Sequence, residues 1–444
     1  MTIIPDIAET MQTVLTIDAE QAAKESGFVQ RQSKINGPVF VQSMMFGFLS
    51  NPESTVGELV QTAEKVGITV TGSGLVQRCT ETGAEFLRMV VHKALDYVIA
   101  ADPVAIPLLN RFTHVLVQDS STIVLPLELA DIWEGCGSST EAGDAALKLQ
   151  VQIDLITGKL TGIELQHGRD SDRASTLQTL EVLPKALYMT DLGYFKLSRF
   201  RDIAEGGAYW LSRMPANVVV FDADGNRWNE VTDLLNDIWD GSVVDIPVSL
   251  GVQERLEARL TAIRVPKDVE AQRRHKLKKD ARKKGRTPTK RQLAMCAWTI
   301  FLTNAPVTLL TVEEIVVLAR TRWQIELLFK LWKSEGQVDK SQSQKPYRIL
   351  CEVYAKLLGM VVQHWLCLVE LWAYPDRSLF KAAKTIRKEA YHLLSDLLRW
   401  DRLLETIADI GRVIAGCRID QRKTAPNTYQ LLLDTSLLGF QMSG

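Results

Sequence analysis

Three carboxylates and a ring of cations carry the chemistry this sequence offers. Asp119 closes the run "FTHVLVQD" (residues 112–119), Asp191 closes "LYMTD" (187–191), and Glu326 sits within "RTRWQIELLFKLWKSE" (320–335). Wound as a helix from Arg322, the last stretch brings Glu326 to about 40°, Lys330 to about 80° and Lys333 to about 20°. Ile325, Leu328, Leu331 and Trp332 fall between about 180° and 300°, so a carboxylate among cations lies opposite an apolar stripe. Taken alone, such a helix is more often a core element whose exposed face carries i,i+4 ion pairs. Trp323 and Trp332 read as packing residues.

Position strengthens the case for the three acids. Asp119 and Asp191 each end a strand pattern, and strand ends are where open α/β sheets build their sites. Three oxygen-rich side chains suit a hard cation such as Mg2+ or Mn2+, whose other ligands are water and phosphate oxygens. Two such ions roughly 3.5–4 Å apart activate a hydroxyl and stabilise the leaving oxygen of an in-line phosphoryl displacement. Arg322 and Lys333 would then grip phosphates beside Glu326. Other chemistries lack their residues. There is no G-x-x-x-x-G-K-[ST] or G-x-G-x-x-G cradle, and the six histidines are dispersed. Ser120 and Ser121 read as strand-end hydrogen-bonding groups rather than nucleophiles.

The elements that must position these residues follow from periodicity. Residues 1–105 look helical throughout, with a helix from Thr55, a glycine-bearing turn over 67–72 and a second helix after it. That spacing fits either a plain helical hairpin or a helix-turn-helix with Ser73, Gln77 and Arg78 reaching DNA. Strand character starts at residue 112. "LKLQVQIDLITGKLTGIELQHG" (147–168) is a hairpin turning at "TGK". A helix is expected over 177–186, a strand at "LYMTD", a helix over 195–204 and a strand at "AYWLSRM" (208–214). This order makes a mixed sheet with helical cover. Residues 217–297 interrupt it with "FDADGNRW", the strand candidate "RLTAIRVP" (259–266) and the basic run "RRHKLKKDARKKGRTPTKR" (273–291). That run is either a solvated segment or one that orders on a phosphate backbone. "WTIFLTNAP" (298–306) returns to strand, and Thr311 with Glu314 forms a capping box that opens the Glu326 helix. After Ser343 the chain reads as helical, with Lys381, Lys384 and Lys388 on one face.

Composition sets the background. The chain has 444 residues, 46% apolar and 24% charged, with a net charge of −1, so any polyanion-binding surface must come from local segregation of charge. Cys79, Cys136, Cys296, Cys351, Cys367 and Cys417 form no C-x-x-C pair, which suits a reducing cytosol. "MTIIPDIAETMQ" lacks a signal pattern, and "LLGMVVQHWLCLV" (357–369) is short for a bilayer and reads as a buried helix.

Together these motifs resemble bacterial insertion-sequence transposases of the DDE type, which carry a Tyr-x2-Arg-x3-Glu-x6-Lys signature. Arg322, Glu326 and Lys333 keep its spacing, while the tyrosine position is Ala319. Asp119 in "VLVQDSSTIVLP" and Asp191 in "YMTDLGYF" match the two aspartates. "YWLSRM" places Arg213, and "WTIFLTNAP" places Trp298, where the resemblance implies a tryptophan that pockets a flipped base. The likeness runs over roughly residues 30–370. It implies an α/β fold: an RNase H-like mixed-sheet core (106–216 and 298–372) with a β-rich insertion (217–297), a helical DNA-binding region (1–105) and a helical C-terminal region (373–444). The implied activity is cutting at the ends of an insertion sequence and joining them to target DNA. Two Mg2+ or Mn2+ ions would be held by Asp119, Asp191 and Glu326, and DNA would be contacted by Arg322, Lys330, Lys333, Arg213 and Trp298. The implied partners are double-stranded DNA, as terminal inverted repeats and target, and a second copy of the chain in the DNA complex, at the nucleoid in the cytoplasm and away from any membrane. The rival readings are a catalytically inactive DNA-binding derivative acting as a regulator, and a stand-alone nuclease.

Overall fold

The run "VLVQ" (115–118) is buried on both faces, as a central strand of a parallel pair must be. The computed structural model, which describes residues 3–31, 33–135, 145–228, 231–238, 243–283, 285–372, 374, 376–419 and 428–435, builds its sheet around that run. Ten strands form: β1 (Val115–Val124), β2 (Ala146–Asp154), β3 (Leu160–His167), β4 (Leu187–Thr190), β5 (Tyr209–Arg213), β6 (Val220–Phe221), β7 (Arg227–Trp228), β8 (Val244–Leu250), β9 (Leu256–Arg264) and β10 (Trp298–Thr303). The chain divides into two compact units. One comprises Met1–Ala105, Ser120–Asp170 and Gln324–Gln421; the other comprises Ile106–Asp119, Ser171–Trp323 and Arg422–Gly444.

In the second unit, β1 runs parallel to β4 from Val115↔Leu187 to Gln118↔Thr190, and β4 runs parallel to β5. The return from β4 to β5 uses the helix Leu197–Glu205, whose Phe200 stacks on Trp210 of β5 with ring centroids 4.3 Å apart. Beyond β5 every pairing is antiparallel, in the order β5-β10-β9-β8-β6-β7. The strands of the interruption therefore extend the same sheet. Trp210, Val248, Leu260 and Leu302 belong to one buried cluster.

The first unit is mainly helical but holds the end of β1 (residues 120–124) with β2 and β3, which pair antiparallel as the "TGK" hairpin requires, with Gly158 at φ +72°. Its axis is the helix Pro346–Leu368, buried at every position over 349–368. Buried polar groups along it are matched. Glu352 accepts from Ser341 Oγ and Gln342 N, Lys356 Nζ donates to the carbonyls of Gln337 and Lys340, and His364 Nε2 bonds Gly158 O at 2.7 Å. This helix is the one long and apolar enough by composition to cross a membrane among the described residues, and its apolar stretch lies wholly inside the protein.

Four expectations change. Asp119 does not end its strand: β1 continues to Val124, and only the pairing with β4 stops, at Gln118. Residues 177–186 form no α-helix. Ser175 Oγ accepts from Leu177 N to start a short 3-10 turn (Thr176–Thr179), and Pro184 disfavours helix before it. The helix opened by the Thr311 capping box breaks at Arg322 into Val312–Thr321 and Trp323–Ser334, where Thr321 Oγ1 bonds back to Leu318 O at 2.6 Å. Finally, the second helix of the helix-turn-helix candidate is only Gly72–Val76. Arg78 turns inward, donating to Phe28 O at 2.8 Å and lying 4.1 Å over the Phe28 ring, while Gln77 bonds Ser73. The hairpin reading suits that geometry.

Candidate active site

Parallel register does the first work. Gln118 faces Thr190 in parallel register, and the next residue along each of these neighbouring strands is an aspartate, Asp119 and Asp191. Gln118 is buried and donates to Ser175 Oγ at 3.3 Å, which fixes the strand just before Asp119. Asp191 is extended (φ −78°, ψ 169°), and its carbonyl accepts from Tyr194 N at 3.0 Å, turning the chain away from the sheet. Arg322 Nη1 donates to Asp119 Oδ2 at 2.9 Å, with both side chains mostly shielded. The break in the helix at Arg322 thus coincides with its engagement by the first aspartate.

Beside this pair opens a cavity of about 580 Å3 whose walls include Asp191, Arg213, Asp268, Arg273, Ala319, Arg320 and Arg322. Arg320 and Arg322 come from the end of the helix Val312–Thr321, and the other two arginines from separate elements. Arg213 ends β5, which is clamped because Thr303 Oγ1 donates to Trp210 O while Trp210 N donates to Asn304 Oδ1. Arg273 projects from the helix Lys267–Lys283, the start of the basic run. It donates to Trp298 O and to Thr299 Oγ1, both at 3.0 Å. Burial, and then the charge of Arg213, push the Arg273 guanidinium below its usual range, and burial does the same to Arg320. Four arginines against two aspartates make the lining a place for an anion.

The remaining candidates fall elsewhere. Trp298 is 3% exposed, inside the buried cluster, with the Arg264 guanidinium 5.6 Å above its ring. It has no open face for a base in this structure. In the other unit, Glu326 is half-buried on the helix Trp323–Ser334, whose stripe of Ile325, Leu328, Leu331 and Trp332 is buried as the angles require. Trp323, expected to pack, is 56% exposed. Lys330 is exposed, and Lys333 Nζ donates to Thr122 O at 2.7 Å, its pKa lowered by burial despite Asp339. No group of three His, Cys, Asp or Glu side chains gathers closely enough to hold a metal among the described residues. The geometry thus brings together Asp119, Asp191, Arg213 and Arg322. It adds Arg273 and Arg320, which the sequence reading passed over.

The transposase DDE domain family model matches residues 110–361, more than half of the chain, from just before β1 to within the buried helix. This chain belongs to the DDE transposase family. Similar proteins carry the same description. The transposase for insertion sequence element IS231F of Bacillus thuringiensis subsp. israelensis is 26% identical, over 80% of this chain and 78% of its own length. That for IS231B of Bacillus thuringiensis subsp. berliner is 25% identical (77% and 75%), and that for IS1151 of Clostridium perfringens is 23% identical (78% and 76%). The ten-stranded mixed sheet with flanking helices agrees with an RNase H-like transposase core. As a DDE transposase the protein is a DNA-cleaving, strand-transferring enzyme, and Asp119 and Asp191 fall within the matched span.

Proposed function

We propose that this transposase cuts at the ends of its own insertion sequence and joins them to target DNA by metal-assisted phosphoryl transfer, with Asp119, Asp191 and Glu326 as its carboxylates. The observation that carries the reading is that Asp119 and Asp191 each follow the last register pair of parallel strands, with Asp191 in the wall of an arginine-lined cavity whose Arg322 bonds Asp119. Carboxylate oxygens are hard donors of the kind Mg2+ or Mn2+ takes, and the reading is supported by Asp119 Oδ2 already accepting from a cationic group, Arg322. A bound divalent ion would supply Lewis-acid stabilisation of charge at the phosphoryl oxygens.

The chain's own groups do the rest. Arg322 orients the Asp119 carboxylate and lines the cavity, bringing a guanidinium, a group whose shape matches a phosphate, beside the two aspartates. Arg213 adds a second guanidinium from β5, and Lys330 and Lys333 supply charge on the Glu326 helix. The partners in this reading are the element's terminal repeats, target DNA and a second copy of the chain.

Asp191→Asn tests it. The variant should still bind DNA carrying the element's ends but lose Mg2+-dependent nicking by several orders of magnitude, and adding Glu326→Gln should cost little more because the acids act as one unit. Full nicking by either single variant removes the assignment. Wild-type binding without any nicking favours the regulator reading.

A further inference from the structure

The helix Lys267–Lys283 has two unlike faces. With Lys276 set at 0°, its half-buried positions Val269, Glu270, Arg273, Leu277 and Ala281 fall between about 20° and 140°. That side is fastened. Arg273 donates to Trp298 O and Thr299 Oγ1, and the neighbouring Arg274 pairs with Glu270 at 2.8 Å while donating to Leu293 O. Gln272, His275, Lys276, Lys279, Arg282 and Lys283 fall between about 240° and 360°, and all of them are exposed. Among the described residues, no side-chain hydrogen bond or ion pair engages Lys276, Lys279, Arg282 or Lys283. The helix also has a built end: Arg286 N donates to Ala281 O at 2.9 Å around Gly285, which sits at φ +59°.

Its first turns belong to the cavity wall. Asp268, Val269 and Arg273 line the cavity at about 280°, 20° and 60°, so the cationic stripe leaves from the cavity's own side of the helix. Asp268 is the one acid of this helix within the stripe's angles, and it lies about 12 Å before Lys276 along the axis.

We propose that this stripe is a sequence-independent rail for duplex DNA, on which Lys276, Lys279, Arg282 and Lys283 hold phosphates flanking the cut. It rests on the proposed function and adds a surface outside the cavity. Lysine suits the task, because an ammonium meets a phosphate as a point charge and reads no base. From Lys276 to Lys283 the helix rises about 10 Å, close to the rise of three nucleotides of one strand.

The triple variant Lys276→Gln, Lys279→Gln and Lys283→Gln tests the rail in the full chain. Its plot of log K against log salt should be shallower than the wild type's by about 2.7, or about 0.9 per phosphate, on an end-bearing duplex and on an unrelated duplex of equal length. In a methylphosphonate scan, adjacent phosphates beside the nick should weaken wild-type binding and make no difference to the variant. Lys267→Gln, off the stripe at about 180°, should leave the slope as it was. All three substituted lysines are exposed, so the thermal melt should match the wild type. Should it fall, Lys279→Gln alone reads the same contact, with a slope shallower by about 0.9. An unchanged slope overturns the rail and makes the stripe a solvated face. A loss confined to the end-bearing duplex overturns it too, because bases would then be read there. Nicking by the wild type and its loss in Asp191→Asn are read in the same samples. A wild type that nicks while the stripe variants keep its slope defeats the rail and leaves the function standing; one that neither binds nor nicks defeats both.

Discussion

Trp298 is buried where its sequence position suggests a surface on DNA, and Arg320, which the sequence did not single out, lines the cavity. A tryptophan opening a strand after the basic run invites a role on DNA, yet its ring is inside the cluster that joins β10 to β9 and β8. Trp298→Ala should therefore cost about 3–5 kcal/mol of stability, read as a lower urea midpoint at pH 7. A 2-aminopurine near the cleavage site should fluoresce alike in both complexes. Unchanged stability with a dimmer probe would return the ring to the DNA. Arg320 escaped notice for a geometric reason. Continued as one ideal helix, Arg320 lies about 200° from Arg322, on the opposite side. Both arginines nevertheless line one cavity at the end of the helix Val312–Thr321. Asp119 and Asp191 stand out because each follows a short apolar run that local sequence reveals, although β1 continues past Asp119 to Val124. Arg273 does not, because within eleven basic residues nothing marks which one is held by a strand's carbonyl.

At the scale of elements, the hairpin of β2 and β3 is pinned to the buried helix by one imidazole. His364 Nε2 bonds Gly158 O, Trp372 Nε1 donates to Leu155 O, and a Cβ on Gly158 would collide with Trp372 and Leu368. Burial lowers the His364 pKa to about 4, with the bond to Gly158 opposing in part. In the unfolded chain the same group titrates near its ordinary value of about 6.5. Between those values the unfolded state takes up a proton that the folded state refuses. The stabilisation is complete above about pH 6.5 and lost as pH falls towards 4, by about 3 kcal/mol at most. Urea midpoints at pH 7 and pH 4.5 should show this loss, and His364→Gln should lower the pH 7 midpoint while flattening the difference. Sequence patterns located this helix and this hairpin, since each has a clean period. They misplaced the segment over 177–186, where Pro184 and the Ser175 hydroxyl decide the backbone, and they could not foresee that Thr321 would divide one amphipathic helix into two.

For the molecule as a whole, a net charge of −1 gives no long-range attraction to a polyanion, so affinity for DNA must come from the few places where cations collect. The cavity arginines and the helix Lys267–Lys283, with no buried residue, are two such places in one unit. Lys330→Ala should lower the slope of log K against log salt by about one phosphate's worth and leave sequence preference unchanged. An unaltered slope would assign Lys330 to ordinary solvation.

The two units are interleaved along the chain, which passes between them at residues 105, 119, 170, 323 and 421. This imposes an order in time. The helices Gly37–Ser50 and Glu81–Asp96 complete their packing against Pro346–Leu368, so their apolar faces emerge from the ribosome long before the segment that covers them. At the usual pace of synthesis the delay is on the order of tens of seconds. During that interval the nascent chain shows sticky surface to chaperones and proteases, and a message broken before the codon for Leu368 yields a product that cannot close its first unit. A pause in the middle of the message would lengthen that interval, as a consequence of chain order alone.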